Sequence, residues 1–265
     1  MTLQPSGTMN MTQIRDELRR PAGYALTFPE QETRWLADLP AGSMTIPTHF
    51  YSKQGVKLVG VTGLDGAATT SHVFGGVGFG LEYPNRTLTC VFMCLNKPSA
   101  AIPTSLTFSG VSVGGVAIPD GGFVWAQGGS GSAMMMGLRI NSVVAPGTSG
   151  TIAFTTNVAT QSKVYVLSLA NVPPGPAMSD NHSTGAASLS ASTNMPDNGV
   201  QVTAAMGFGS PVITWANATD RIQEVFGGYR LSITFDNRLA AEPGRPVIAN
   251  FNAVVPCILG DLAKG

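Results

Sequence analysis

Two periodicities divide the chain. From Lys57 onward apolar and polar residues alternate in short runs of period two, rich in β-branched and aromatic side chains. The runs are VKLVGVT, RTLTCVFMCL, TSLTFSGVSV, GFVWAQ, SAMMMGLRI, GTIAFTTN, KVYVLSLANV, AASLSAST, GVQVTAAMGF, YRLSITFD and PVIANFNAVV, and turn signals such as PDGG, APGTSG, MPDNG and FDN fall between them. This is the signature of strands joined by tight turns. KVYVLSLANV and SAMMMGLRI are apolar on both faces, so each must lie between two layers of the protein or beneath a neighbouring subunit. The pattern predicts a mainly β protein, an antiparallel β-sandwich or jelly roll of about ten to twelve strands with little helix.

The first 54 residues read differently. A glycine leads into a short alternating run and then a turn or helical pattern, three times over: Gly7-Thr-Met9-Asn-Met11 before TQIRDELRR, Gly23-Tyr-Ala-Leu26-Thr-Phe28 before PEQETRWLADL, and Gly42-Ser-Met44-Thr-Ile46 before PTHFYSK. In the first helical pattern Thr12 is placed to cap, and Ile14 and Leu18 form one apolar stripe ended by Pro21. In the second, Pro29 suits the first turn, Trp35 and Leu39 share a face, and Pro40 stops the segment. Such fragments are too short to stand alone and must bury their apolar positions on something else. The expected organisation is therefore a docking arm of mixed strand and short helix at 1–54, and a β-sandwich at 55–265 that folds without it.

Composition narrows the classes of function. Among 265 residues there are 15 Lys+Arg and 15 Asp+Glu, so charged residues are only 11% and the net charge is zero; that argues against electrostatic capture of nucleic acid or anionic lipid. Ten of the thirty charged residues fall in the first 53 positions. No apolar run reaches the eighteen or so residues needed to span a bilayer, and MTLQPSGTMN lacks the basic-then-apolar order of a signal peptide. Neither a membrane nor a membrane address is expected.

Candidate chemistry is sparse. Cys90 and Cys94 lie in one strand-like run, about 13 Å apart along it, too far to pair; with Phe92 they read as one buried strand face, while Cys257 is open to pairing between chains. His49, His72 and His182 have no neighbour at metal-ligand spacing. Gly128-Gly-Ser130-Gly-Ser132 lacks the last glycine of a nucleophile elbow, and GGVGFG at 75–80 fits no phosphate loop and reads as a flexible or tightly twisted strand. Glu82/Asp120 and Asp197/Asp220 show nothing that sets a glycosidase separation. The Asn-x-Ser/Thr sequons at Asn10, Asn85, Asn181 and Asn217 need not be glycosylated without a secretory signal. No catalytic residue, metal or cofactor is expected. Trp125, Trp215 and Tyr229 are the aromatics that could stack on a sugar if the chain were a carbohydrate-binding module for a bacterial surface glycan.

Ser6-Gly7-Thr-Met9-Asn-Met11-Thr-Gln-Ile14, then Arg34-Trp-Leu-Ala-Asp-Leu-Pro40, then Ala41-Gly42-Ser-Met44-Thr-Ile46 leading to Phe50-Tyr51-Ser52-Lys53, resembles the strand-and-helix segment of tailed-bacteriophage structural proteins. Residues 86–255 are similar in pattern to the Gly/Thr-rich sandwich of phage and prophage virion proteins, while Pro29 and Pro47 interrupt the usual repeat. The resemblance implies a non-enzymatic virion component, tail- or fibre-associated or on the head surface, whose partners are other virion proteins and copies of itself. On this view Met9, Met11, Ile14, Leu26, Phe28, Trp35, Leu36, Met44, Ile46, Phe50 and Tyr51 bury their side chains against other subunits, with Trp35 the strongest anchor. The chain's own sandwich is the other candidate partner for the arm.

Overall fold

The computed structural model describes residues 3–4, 6–26, 28, 31–39, 41–45, 55–63, 67–83, 85–96, 106–119, 123–128, 134–173, 178–197 and 199–264; at 123–128, 134–135, 178–184, 220 and 237–239 it describes the main chain. Two short helices, α1 (Met11–Glu17) and α2 (Gln31–Ala37), precede the strands. These are β1 (Val56–Gly63), β2 (Thr69–Gly78), β3 (Arg86–Asn96), β4 (Phe108–Val113), β5 (Val116–Ala117), β6 (Phe123–Gly128), β7 (Met134–Val143), β8 (Ser149–Ala170), β9 (Met178–Met195), β10 (Gly199–Phe208), β11 (Ile213–Ala216), β12 (Asp220–Phe226), β13 (Tyr229–Leu239) and β14 (Glu242–Lys264). The protein is mainly β, in two antiparallel sheets of which one is strongly curled, consistent with a β-sandwich. Among the described residues thirteen strands have four or more residues and β5 has two, which exceeds the expected ten to twelve. The excess comes from β2, of which only the glycine-rich end at 75–78 reads as a strand, from β11, four residues long, and from the polar DRIQEVF of β12. GTIAFTTN and KVYVLSLANV run the other way, forming the single strand β8. Among the described residues no helix is long and apolar enough to cross a membrane.

The first sheet is organised by β8. Its first half pairs with β2 and β4, through Phe154 opposite His72 and Thr156 opposite Phe108. Its second half pairs with β1 and β3, through Val166 opposite Gly60 and Cys90. The strand exchanges β4 for β3 between Thr156 and Gln161, and β2 for β1 between Thr160 and Lys163. Burial follows the geometry: 149–156 alternates buried and open residues, as a one-faced strand must, whereas 164–170 is buried at every position because that half is covered on both faces.

Val164 and Val166, with Leu88, Cys90, Phe92 and Cys94 of β3, face inward against Phe74, Phe108, Val113, Ile152 and Phe154. Tyr165, Leu167 and Leu169, with Val91, Met93 and Leu95, face the second sheet and meet Val200, Val202, Met206, Leu231, Ile233, Ile258 and Leu262. The doubly apolar runs are thus central strands within this chain. The shared buried face of Cys90, Phe92 and Cys94 is as expected. Cys257 is also buried, its thiol pushed up to about 11 by burial, against the Ala186 carbonyl at 3.9 Å. The second sheet runs β11-β14-β10-β13-β12, with β9 also on β14; a third apolar cluster, containing Ala205, Ile213, Phe251, Cys257 and Leu259, fills its far side.

Adjacent backbones set one strict local requirement. A Cβ on Gly60 would lie 2.5 Å from the Gly78 carbonyl oxygen, and one on Gly78 would lie 2.6 Å from that of Val59. Both obstacles are main chain and cannot rotate away. Gly60→Ala is therefore expected to destabilise the fold by about 1–3 kcal/mol, read as a lower midpoint in urea unfolding.

Candidate functional site

The arm is folded, and it folds as a repeat. Asn10 caps α1 by accepting from the Gln13 N–H at 3.0 Å, while the Gln13 side chain accepts from the Asn10 N–H at 2.9 Å. This reciprocal box makes Asn10 the cap in place of Thr12. Both helices end alike. Arg19 and Asp38 take positive φ, 54° and 58°. The Arg20 N–H donates to Arg15 O at 3.1 Å and Arg19 N–H to Asp16 O at 3.0 Å; Leu39 N–H donates to Arg34 O at 3.0 Å and Asp38 N–H to Trp35 O at 3.2 Å. Each is the paired-bond left-handed stop of a helix. Pro-Ala-Gly follows each stop, at 21–23 and 40–42, with Gly23 and Gly42 again at positive φ. The alternating runs expected as strand fragments form no strand among the described arm residues, since that edge has no sheet to join and the helix stops set its path.

The two helices press a small apolar core onto one end of the sandwich. Leu3, Met9, Ile14, Leu18, Trp35, Leu36 and Ala37 pack with Tyr83 of the β2–β3 connection and Ala170 at the end of β8. Trp35 is 1% exposed; its indole N–H donates to Ser168 Oγ at 3.2 Å, and Lys57 Nζ stands 4.4 Å over its ring. The same ammonium donates to the Leu36 carbonyl at 3.1 Å, to the Trp35 carbonyl and to the Asp38 carboxylate, so one cation of β1 closes the carbonyl end of α2.

Buried charge clamps the joint. Arg19 Nε donates to the Ala170 carbonyl at 2.9 Å, and the Glu17 carboxylate accepts from the Gly55 N–H at 2.8 Å. Burial lowers Arg19 to about 10, with Glu17 opposing the shift, and the guanidinium stays charged at neutral pH. Arg20 pairs with Glu32 at 2.7 Å. Burial lowers Arg20, but its bond to Glu32 and the nearby Tyr83 overcome this and leave it raised. The Tyr83 hydroxyl bonds Glu32 at 3.0 Å and Asn171 Oδ1 at 2.7 Å; burial, then the Glu32 charge, raise it far above a free phenol. Asn171 in turn donates to the Leu18 carbonyl at 2.6 Å.

The expected docking residues are therefore brought together, but mostly on their own chain. Met9, Ile14, Trp35 and Leu36 are buried, and Leu26, Phe28 and Met44 are half-buried against the same cluster. The expectation that another subunit covers them is corrected for these positions: the end of β8 supplies Ser168 and Ala170 as a seat. Met11 is 40% exposed. Ile46, Phe50 and Tyr51 lie outside the described residues. Sequence reasoning did not single out Glu17, Arg19, Tyr83, Ser168 or Asn171; the repeated Pro-Ala-Gly after two charged helices was the available signal for the first two.

Beside the joint is a cleft of about 350 Å³ lined by Gln31, Glu82, Tyr83, Arg86, Val144, Ala145 and Pro146. Its floor is set by Arg86, 2% exposed, which donates to the carbonyls of Phe79, Gly80, Leu81, Ala145 and Gly147. Glu82 accepts from the Gly147 N–H at 3.1 Å. One guanidinium thus holds the β2–β3 and β7–β8 connections together, and its bonds are spent on the protein itself.

Elsewhere the reactive side chains are sealed. At the bend of β8, His72 Nε2 lies 3.0 Å from Thr160 Oγ1 and 3.3 Å from Ser162 Oγ, and Ser162 lies 3.0 Å from Cys94 Sγ. Phe154 stacks on the imidazole at 4.6 Å. Burial pushes the Cys94 thiol up to about 12, so it carries no thiolate at neutral pH and the chain of hydroxyls serves packing at the bend. Asp261 is buried in the second sheet and accepts from Thr203 at 2.6 Å and from Gln201 and Thr193 at 2.9 Å; burial raises it, against those three bonds. No group of three or more His, Cys, Asp or Glu among the described residues could hold a metal. Of the aromatics proposed for sugar stacking, Tyr229 is 4% exposed within the inter-sheet core. Trp215 is half-buried with its N–H on Ser232 Oγ at 2.7 Å. The Trp125 side chain lies outside the described residues. No protein-family model, curated protein or solved structure matches this chain.

Trp35→Ala is expected to cost about 3–5 kcal/mol at the joint, measured as faster proteolysis within the first 45 residues and a lower unfolding midpoint of the monomeric chain. Burial also holds the His72 imidazole below its ordinary 6.5. The unfolded chain then takes up this proton first, so stability is complete above about pH 6.5 and falls as the pH is lowered toward the folded value. Urea titrations across that range should show this slope, and His72→Gln should remove it.

Proposed function

We propose that this chain is a non-enzymatic structural component of a bacteriophage virion, a sandwich body carrying its own arm as a tail-associated, fibre-associated or head-surface element. The observation that supports the reading is the arm itself. The segment whose residues resemble those of tailed-phage structural proteins is a repeat with two matching helix stops, seated on the sandwich by Trp35, Arg19 and the Arg20–Glu32–Tyr83 network. A charge-poor body of this kind suits assembly, because few long charged side chains must be ordered or desolvated at contacts. In an assembly the arm acts as a rigid end of the body, and Met11 and Tyr24 are the large apolar side chains among its described residues left open to a neighbour.

Quantitative mass spectrometry of particles purified through a density gradient from the host culture tests this. The chain should co-purify at a fixed ratio to the major particle proteins. Its presence in the lysate but absence from the particles would contradict the proposal.

A further inference from the structure

The two sheets repeat one another strand for strand. In residues 56–170, β3 lies between β8 and β7, β7 carries β6, β4 pairs with the first half of β8, and β1 and β2 line its other edge. In residues 178–264, β10 lies between β14 and β13, β13 carries β12, β11 pairs with the first half of β14, and β9 alone lines its other edge. The chain order is the same once β1 and β2 are matched to the single long strand β9, and β5 is the one strand without a counterpart.

Register agrees as well as order. Setting Leu167 on Leu262 in the long strands places Val91 on Ala204, Met93 on Met206, Leu138 on Leu231, Ile140 on Ile233 and Phe108 on Ile213. It also superposes the register break of β8 against β2, between Thr155 and Thr160, on the register break of β14 against β9, between Asn250 and Val255. Matching pairings follow from the general habits of antiparallel sheets; a register break at the same point of the corresponding strand is a much narrower coincidence.

The equivalent residues also face each other. Val91, Met93, Leu138, Ile140 and Leu167 and their counterparts Ala204, Met206, Leu231, Ile233 and Leu262 all belong to the one cluster between the sheets. Each half therefore presents the same face to the other. A rotation that turns a face over onto its own kind is a half-turn about an axis in the plane of contact, the arrangement of a two-fold dimer. Its two sides have since diverged in bulk. A Cβ on Gly260 would lie 3.2 Å from Leu138, while the equivalent of Gly260 is Tyr165, beside Glu224, the strand neighbour of Leu231. One flank carries glycine where the other carries tyrosine.

We infer that the chain is two copies of one self-associating β unit joined in a single polypeptide, and that the apolar layer between the sheets is a fused homodimer interface. The partner this face fits is a second copy of the same unit. The arm's apolar core sits on the first copy, at the end of β8, and α1 also touches β13 of the second. Under the same superposition Asp261 of β14, which accepts from Gln201, Thr203 and Thr193, takes the place of Val166 in β8.

The inference does not depend on a virion role, and distances within the intact chain test it. Val73 and Ser190 are equivalent, as are Ser109 and Thr214, and all four are exposed. Cysteine variants at these positions can carry spin labels while the three buried native cysteines stay unlabelled. Double electron–electron resonance should give one distance for Val73→Cys with Ser109→Cys and for Ser190→Cys with Thr214→Cys. It should also give one distance for the two crossed pairs, Ser109→Cys with Ser190→Cys and Val73→Cys with Thr214→Cys. A mismatch larger than about one strand spacing, ~5 Å, in the first comparison would overturn the repeat; in the second it would overturn the half-turn and with it the fused-dimer interface.

Discussion

Everything in this molecule leans on the second half of β8 being covered on both sides. From Val164 to Ala170 each side chain is buried, so even-numbered residues fill the curled first sheet, odd-numbered ones meet the second sheet, and the strand's end seats the arm. A strand in that position loses water on both faces, and its backbone bonds to β1 and β3 cannot be replaced by solvent. Substitutions there would disturb three clusters together, whereas the alternating first half of the same strand has one face to spare.

The arm shows how buried charge can fix position. Arg19, Glu17 and the Arg20–Glu32 pair contribute little as ion pairs in themselves, because their desolvation offsets much of the attraction. They are specific, however: Arg19 fits the carbonyl at the end of β8, and Glu17 fits the Gly55 amide. Apolar burial by Trp35 and Ile14 supplies the affinity, and the polar groups select a single seat.

Much of the fold was legible in the chain, for physical reasons. RTLTCVFMCL and GVQVTAAMGF became β3 and β10 with their expected bounds nearly intact, because both-face burial requires uninterrupted apolar and small residues. Only the glycine-rich end of TTSHVFGGVG reads as a strand, and DRIQEVF does not: the rest of β2 owes its place to pairing with β8, and β12 to pairing with β13. The length of β14 was missed since NAVVPCILGD changes face in its middle, where the register breaks. In the arm the apolar residues are legible, but the choice of partner between another subunit and the chain's own sandwich is not. Periodicity reports that a side chain will be buried and is silent on which chain buries it; the polar residues that decide this, Ser168 and Asn171, lie far away in sequence.

Hydrogen exchange on the isolated, dilute chain tests the stacked-layer account most directly. Amides of 164–170 in β8 and 257–262 in β14 should exchange only with global unfolding, and those of α2 should be protected well above a free peptide because the arm is seated on its own sandwich. Exchange of α2 at random-coil rates in the monomer, or protection in 149–156 equal to that in 164–170, would contradict it.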